Sequence, residues 1–239
     1  MFAEDEIVRF EVAGPVAVVG DIHGRADLLK KLLKKLGKAM PIFFVGDLID
    51  RGPASFDVVE QLLARGARGV RGNHEEWMRK WIDGGGFNGD VLQRAFGAGA
   101  TLASYGITEG PYAPRFTEVP PAHRKFFREL PLVLDLVVDG VAFWVVHAGV
   151  NRSTPLDPSV PRDEAIAWLV ENEPYDLLWN GDDIDKARLL DRPVIYGHKP
   201  QMKPAATARA IAIDTGAGTW EAGQLTAVVL PERRFVSVG

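Results

Sequence analysis

Val16-Ala17-Val18-Val19-Gly20-Asp21-Ile22-His23-Gly24 is the stretch that decides the fold. Its four consecutive apolar residues predict a short buried strand, which ends at Gly20-Asp21. The following segment, Ala26–Lys38, places leucines at helical spacing with lysines on the opposite face, so it predicts an amphipathic helix. A buried strand followed by an amphipathic helix is typical of an α/β protein with a parallel sheet.

The same pattern recurs twice, in strands predicted at 41–45 and 69–71. Each of the three strands ends in a glycine followed by a polar residue, and these residues are Asp21, Asp47 and Asn73. They lie 26 and 26 residues apart, about the length of one strand–helix unit. Equal spacing brings the ends of consecutive parallel strands to one edge of one sheet, where ligands bind in such folds.

The second half of the chain predicts further strands. Apolar runs at 132–138 and 141–146 flank Asp139-Gly140, which indicates a hairpin. We expect a second, more antiparallel sheet from the short strands at 210–213, 225–230 and 235–238. Because we find no linker between the two halves, we predict a single domain over residues 1–239.

Composition limits the functional classes. The 239 residues carry 28 Lys and Arg against 32 Asp and Glu, a net charge of −4, which argues against a general nucleic-acid binder. There is no cysteine, so disulfides, thiolate metal sites and cysteine nucleophiles are excluded. The acidic N-terminal ten residues lack the apolar core of a signal peptide, and no apolar run is long enough to span a membrane. We therefore expect a cytoplasmic protein without a membrane partner; its oligomeric state stays open.

Four of the five histidines lie at or beside predicted strand ends, namely His23, His74, His147 and His198. The fifth, His123, falls in a predicted helix and is interpreted as a surface or packing residue. Together with the three polar residues that end the first strands, the four histidines exceed what one metal ion needs. Nitrogen and oxygen ligands without thiolates suit Mn, Fe, Zn or Co, and this number of ligands predicts two ions about 3.5–4 Å apart.

Five motifs occur in order at these strand ends: GDIHG at 20–24, GDLIDRG at 46–52, GNHE at 72–75, HAG at 147–149 and GH at 197–198. They resemble the motifs of calcineurin-like metallophosphoesterases, and GDLIDRG and GNHE resemble the phosphoprotein phosphatase branch in its short bacterial form. The resemblance covers residues from about 15 to 218. It implies a four-layer α/β/β/α sandwich of two mixed sheets flanked by helices.

The resemblance also implies a role for each motif residue. Two divalent metal ions would be held by Asp21, His23, Asp47, Asn73, His147 and His198, with Asp47 bridging both. His74 would protonate the leaving group, oriented by Asp50. Arg51 and Asn73 would bind the substrate phosphate, assisted by Arg71. Manganese is the metal expected from bacterial members, while Fe, Zn, Co and Ni stay open.

The implied activity is hydrolysis of phosphoserine or phosphothreonine, and by extension phosphotyrosine, in a phosphoprotein or phosphopeptide. The resemblance implies direct attack by a hydroxide that bridges the metals. Pro200 stands where phosphodiesterases of the superfamily have a ligating histidine, which argues against that class. Symmetrical bis(5'-nucleosyl)-tetraphosphate hydrolases, or enzymes on other nucleotide polyphosphates, remain an alternative, and a catalytically silent binding module is a second one.

Two features leave the substrate side undecided. Phosphatases of this type have a further phosphate-binding arginine between the last two histidine motifs, where this chain has Asn180-Gly181-Asp182-Asp183 after Trp179. The arginines that could substitute for it are Arg152, Arg162, Arg188 and Arg192. The glycine-rich segment Gly84–Gly89 is interpreted as a surface loop or as a lid over the site.

Overall fold

Two sheets lie face to face and helices cover both outer faces, which confirms the predicted four-layer sandwich. The structure is a computed structural model that describes residues 6–86, 96–149, 160–180 and 190–239. Three apolar cores mark the layers, one between the sheets and one beneath the helices on either side.

The first sheet contains the three parallel strands that the sequence predicts. Its members are β2 (Val16–Val19), β3 (Ile42–Phe44), β4 (Arg68–Gly69), β10 (Leu225–Leu230) and β11 (Arg234–Val238). They are ordered β11-β10-β2-β3-β4, with β2, β3 and β4 parallel and β10 antiparallel to both of its neighbours.

The second sheet is also mixed. Its members are β1 (Ile7–Val12), β5 (Val133–Val138), β6 (Val141–Val145), β7 (Val194–Tyr196), β8 (Ala205–Ala206) and β9 (Ala210–Ala212). In the order β1-β5-β6-β7-β9-β8, strands β6, β7 and β9 run parallel to one another. Strands β5 and β6 pair antiparallel next to Asp139-Gly140, which confirms the predicted hairpin.

The predicted membership of the second sheet is wrong for the last two strands. Strand β10 pairs with β2 of the first sheet, in the register Val228↔Val18, and β11 follows it there. Every residue of β10 is buried, so this strand needs a paired neighbour on each side and cover on both faces, and the open edge of β2 provides one of those neighbours. Strand β1, which the sequence analysis does not predict, forms the edge of the second sheet beside β5.

Six α-helices are described: α1 (Ala26–Leu36), α2 (Ser55–Ala64), α3 (Asn73–Asp83), α4 (Ala98–Ser104), α5 (Pro121–Glu129) and α6 (Ala165–Asn172). A 3₁₀ helix spans Ala113–Glu118 and a π-helical turn spans Asp176–Asn180. The sequence also predicts a helix over about 90–104. The structure describes α4 from Ala98, after a turn at residues 96–97, and residues 90–95 lie outside the described part. No helix in the described part of the chain is long and apolar enough to cross a membrane.

The short strands are buried on both faces, which explains their uninterrupted apolar sequence. In β2, Val16 and Val18 pack in the core between the sheets, while Ala17 and Val19 pack in the core beneath α1 and α2. A strand covered on both faces favours apolar residues at every position. The polar residues that follow it are therefore conspicuous, and they form the site described next.

Candidate metal centre

Six polar residues lie shortly beyond the carboxyl ends of six strands, three strands from each sheet. They are Asp21, Asp47 and Asn73 after β2, β3 and β4, and His147, His198 and Asp214 after β6, β7 and β9. Within each sheet these three strands run parallel, so their ends meet at one edge. The structure thus brings together the strand-end residues that the equal spacing predicts, and adds Asp214 to them.

Four of these side chains converge on one point. The Nε2 atom of His147 lies 2.9 Å from Oδ1 of Asn73, 3.1 Å from Nδ1 of His198 and 3.3 Å from Oδ1 of Asp47. The Nδ1 atom of His198 is also 3.1 Å from Oδ1 of Asn73. All four side chains belong to the predicted ligand set.

The protons of these two histidines point away from the cluster. His147 donates its Nδ1–H to the carbonyl of Val45 at 2.9 Å, and His198 donates its Nε2–H to the carbonyl of Trp179 at 2.9 Å. Burial lowers the pKa of His147 to about 4 and also lowers the pKa of His198, so both rings are neutral near pH 7. The converging ring nitrogens therefore carry lone pairs, and together with two oxygens they form a donor set that fits a cation.

A second group of ligand atoms shares Asp47 with the first. The Nε2 atom of His23 lies 3.5 Å from Oδ2 of Asp47 and 4.0 Å from Oδ2 of Asp21. His23 donates its Nδ1–H to the carbonyl of Ile49 at 2.9 Å, and burial lowers its pKa to about 3. Its Nε2 lone pair thus faces two carboxylates, which is the arrangement expected of the other metal position.

Three buried carboxylates stand in this cluster. Burial raises the pKa of Asp21 well above its usual range, and the charges of Asp214 and Asp47 raise it further. Burial, reinforced by the charge of Asp47, raises the pKa of Asp214 to about 6. Burial also disfavours the charged form of Asp47, but the neighbouring histidines, which become charged at acid pH, outweigh it and hold the pKa of Asp47 below its usual range. So much unbalanced negative charge, away from water, is stabilised when cations bind.

Asp214 is absent from the residues predicted from the sequence, although the sequence carries a signal for it. Ile213-Asp214 follows the buried strand β9, and a glycine stands two residues later, much as Asp21 and Asp47 follow their strands. Asp214 is 3% exposed and accepts the N–H of Gly216 at 2.9 Å.

The backbone around the cluster is shaped for close approach. A Cβ atom on Gly72 would collide with Oδ1 of Asp47, and one on Gly197 would collide with Oδ1 of Asp21. Five predicted site residues are held at positive φ, a conformation that non-glycine residues rarely adopt and that concentrates at functional sites: His23, Asp47, Asp50, Arg51 and His198. The donor set and this cradle both fit two divalent cations.

His74 stands beside the cluster but has a different partner. It donates its Nδ1–H to Oδ2 of Asp50 at 2.6 Å, and Thr101 donates its hydroxyl to Oδ1 of Asp50, also at 2.6 Å. Burial opposes the charged imidazolium, but the carboxylates of Asp47 and Asp50 outweigh it and raise the pKa of His74. A histidine that holds a proton at Nε2 near neutral pH is suited to act as a general acid.

Glu75 organises the loops that carry the ligands. Its carboxylate accepts the backbone N–H of Asp47 at 2.7 Å, of Leu48 at 2.8 Å and of Gly72 at 2.8 Å. Burial and the nearby charge of Asp47 raise its pKa to about 7. Glu75 therefore joins the loop after β3 to the start of α3, and so fixes Asp47 relative to Asn73.

Arg51 is exposed at the mouth of the cluster, where the sequence predicts it. One of its terminal nitrogens, Nη1, lies 2.8 Å from Nε2 of His23 and 2.5 Å from the hydroxyl of Thr219, and the other, Nη2, lies 3.4 Å from Nε2 of His74. A guanidinium beside both ligand and acid is placed to bind the oxygens of a phosphate.

The structure does not bring Arg71 to the site, which corrects its expected role in phosphate binding. Its guanidinium is fully buried and forms two hydrogen bonds to Glu6, at 2.6 and 2.9 Å. The remaining donors bind Glu76 at 2.9 Å and the carbonyl of Leu130 at 2.8 Å. These four hydrogen bonds join the chain near β1 to α3 and hold the buried Arg71 guanidinium away from the cluster.

Other side chains predicted near the site are used elsewhere or lie outside the described residues. Arg192 forms ion pairs with Asp135 and Asp191, and His123 is buried between Tyr105 and Glu60, in keeping with a packing role. Arg162 is exposed just before α6. Outside the described part lie Arg152, Arg188, Asp182, Asp183 and residues 87–89 of the glycine-rich segment.

Comparisons with known proteins agree with this geometry. The family described as calcineurin-like phosphoesterase matches residues 14–212. Bis(5'-nucleosyl)-tetraphosphatase PrpE [asymmetrical] of Geobacillus thermodenitrificans is 30% identical over 246 residues, covering 93% of each chain. Serine/threonine-protein phosphatase 2 of Escherichia coli is 29% identical over 202 residues, covering 83% of this chain and 86% of its own.

Solved structures show the same fold. A crystal structure attributed to a diadenosine tetraphosphatase is 23% identical and superposes with a TM-score of 0.64, covering 98% of this chain and 97% of its own. A protein serine/threonine phosphatase from Saccharomyces cerevisiae is 19% identical, with a TM-score of 0.59, and covers 98% of this chain and 82% of its own. At these identities, the likeness shows the fold alone.

Proposed function

The chain belongs to the calcineurin-like phosphoesterase family, and we propose that it is a two-metal hydrolase that cleaves a phosphoanhydride bond of dinucleoside tetraphosphates. The observation that carries the chemistry is the contrast within one cluster: the lone pairs of His23, His147 and His198 face into the group of ligand atoms around Asp47, while His74 beside them donates its outer N–H to Asp50. The names of the PrpE relatives support the choice of substrate.

Asp21, His23, Asp47, Asn73, His147 and His198 are the residues that would hold the metals, with Asp214 close behind them. When bound by these residues, two divalent cations would neutralise phosphate oxygens and lower the pKa of an attacking water. Manganese is our proposal for the native ion, because nitrogen and oxygen ligands accept it.

Substrate orientation and proton transfer are carried out by side chains of the protein itself. Arg51 orients the substrate by donating to phosphate oxygens from the mouth of the cluster. His74 donates the proton on Nε2 to the leaving oxygen, and Asp50 stabilises its charged form until that transfer. Thr101 fixes Asp50 in turn, by hydrogen bonds to both its carboxylate and its backbone N–H.

A phosphoprotein phosphatase is the second candidate. The GDLIDRG and GNHE motifs favour it, as does the resemblance in sequence to serine/threonine-protein phosphatase 2. The same cluster and the same acid would release phosphate from phosphoserine or phosphothreonine. Both candidates use one metal centre, so the choice between them depends on groups that contact the leaving group.

The deciding experiment compares two substrates on metal-stripped protein reconstituted with manganese. We expect turnover of diadenosine tetraphosphate to AMP and ATP, resolved by chromatography, at a higher kcat/KM than phosphate release from a phosphothreonine peptide. ADP as the sole product would indicate the symmetrical reaction instead. Faster release from the peptide would overturn the proposed substrate in favour of the second candidate. Asp47→Asn, purified identically, controls for contaminating hydrolases.

A further inference from the structure

We propose that the rings of Phe96 and Trp179 form a binding platform for a nucleobase, at the side of the metal centre where the leaving group departs. The proposal rests on the proposed function, because it names the part of the substrate that this surface contacts. No role for either ring follows from the motifs that identify the metal centre.

The two rings bridge the acid and a metal ligand. The Phe96 ring centre lies 5.8 Å from that of His74 and 5.7 Å from that of Trp179. The Trp179 ring centre lies 6.3 Å from that of His198. The platform therefore begins beside the group that protonates the leaving oxygen and ends beside the group that would hold a metal.

Phe96 packs against neighbouring rings and still stays open to solvent. The residue is 47% exposed, and its backbone adopts a φ of 57°, a region that a bulky residue avoids. The neighbouring Gly97 anchors this conformation, because its carbonyl accepts the N–H of Arg51 at 3.2 Å. A strained backbone that is tied to the phosphate-binding arginine and displays a large apolar ring indicates a ligand contact.

Trp179 is tied to the metal centre from the other side. Its carbonyl accepts the Nε2–H of His198 at 2.9 Å, so the backbone of Trp179 and the orientation of His198 are coupled. The side chain of Trp179 takes no part in that hydrogen bond. Replacing the ring therefore tests the platform while keeping the partner of the metal ligand.

A nucleobase fits this surface better than an aliphatic side chain does. Each base offers a flat aromatic face, and stacking on protein aromatics binds it without sequence preference. In a dinucleoside polyphosphate the group that leaves beside His74 always carries a nucleoside, so its base must lie within the reach of the phosphate chain from the centre. A phosphopeptide brings no obligatory ring to that place.

The first test pairs two phosphoanhydride substrates, diadenosine tetraphosphate and inorganic tripolyphosphate. For Phe96→Leu and Trp179→Leu, we expect KM for the nucleotide to rise about tenfold, with kcat and the kinetics on tripolyphosphate unchanged. Phe96→Tyr, which keeps an aromatic face, should retain the wild-type KM. Tyr175 is 51% exposed and lies outside the platform, so Tyr175→Leu should leave kcat and KM for both substrates unchanged. Equal changes in KM for both substrates in Phe96→Leu and Trp179→Leu would overturn the proposal.

A second test separates the platform from the proposed function. Inhibition of phosphate release from a phosphothreonine peptide is compared for AMP and for inorganic phosphate, and AMP binding is also measured by calorimetry. We expect wild-type protein to bind AMP about tenfold more tightly than phosphate, and Phe96→Leu to abolish that preference. If no dinucleotide is cleaved but this preference and its loss are found, the proposed function fails and the platform stands. If AMP and phosphate bind alike in wild-type protein, the platform is wrong.

Discussion

The two sides of the metal centre differ in what their histidines bind. On the ligand side, His23, His147 and His198 each donate a ring N–H to a backbone carbonyl, at 2.9 Å in all three. On the acid side, His74 donates to the carboxylate of Asp50 at 2.6 Å. The first three have lowered pKa values and the fourth has a raised one.

In each ring, the outer nitrogen faces away from the cluster and the inner nitrogen faces into it. The difference supports our proposal that the partner of the outer nitrogen decides the role of the inner one. All four rings are buried or nearly so and lie near Asp47, so burial alone cannot separate them. A neutral carbonyl leaves the ring neutral, and the inner nitrogen keeps a lone pair for a metal. A carboxylate stabilises the imidazolium, and the inner nitrogen keeps a proton for a leaving group.

Removing the carboxylate of Asp47, which both sides share, should have the largest effect on metal binding and turnover. In Asp47→Asn, we expect bound metal to fall sharply and turnover to drop by roughly a thousandfold or more, because the carboxylate common to both groups of ligands is lost. Metal analysis and phosphate release measure the two effects. Full activity with full metal content would contradict the account, and circular dichroism checks that the variant is folded.

Removing the acid alone should spare the ligand side. His74→Asn is expected to lower kcat about 10²–10⁴-fold on substrates with poor leaving groups. On p-nitrophenyl phosphate, whose leaving group needs little protonation, the loss should be much smaller. Equal losses on both kinds of substrate would show that His74 is not a general acid.

Changing the partner of His74 should have a smaller effect, visible in the pH profile. The Asp50 carboxylate raises the pKa of His74, and the acid is active when protonated, so activity declines as the pH rises through that pKa. In Asp50→Asn, the pKa of His74 falls, and the alkaline limb of kcat/KM should move to lower pH with a loss of about 10–100-fold in kcat. An unmoved or upward-shifted limb would contradict this.

The two arginines of the motifs differ in a similar way, and replacing the buried one should have the smallest effect on turnover. Arg51 is exposed beside the acid, whereas Arg71 is buried between Glu6 and Glu76. We expect Arg71→Met to lower the free energy of unfolding by about 3–5 kcal/mol, because two buried carboxylates lose their buried partner and keep only ion pairs with more exposed side chains such as Arg79. Urea unfolding measures this, and turnover per folded molecule should change less than in any variant above. A loss of phosphate affinity without a loss of stability would show that Arg71 binds the substrate phosphate after all.

The sequence predicts the architecture and the strand-end residues that meet in the cluster, because both depend on local patterns. Asp21, Asp47 and Asn73 follow short apolar strands at equal spacing, and parallel strands must bring them together. The placement of β10 in the first sheet could not be read in this way, because it depends on a pairing between segments about 210 residues apart.

The environment of a charged side chain is harder to predict than its position. Arg71 ends a strand next to ligand residues, as a phosphate-binding residue would, yet its partner Glu6 lies 65 residues away in the chain. The partner of Asp50 on α4, Thr101, carries no motif and is 51 residues away. Such partners, distant in sequence, determine the pKa of a side chain and whether its donors can bind substrate. A local sequence pattern does not identify them.

The most direct measurement is the metal content of His74→Asn. Geometry alone would admit His74 as a ligand, since its ring lies with His23 and Asp47 in a group whose ligand atoms are within 4.8 Å of one another. We assign it the acid role instead, because it donates its other ring N–H to Asp50. After loading with manganese and removal of free ions, mass spectrometry should find the same two ions per chain in His74→Asn as in wild-type protein. One ion per chain in the variant would make His74 a ligand and contradict the account.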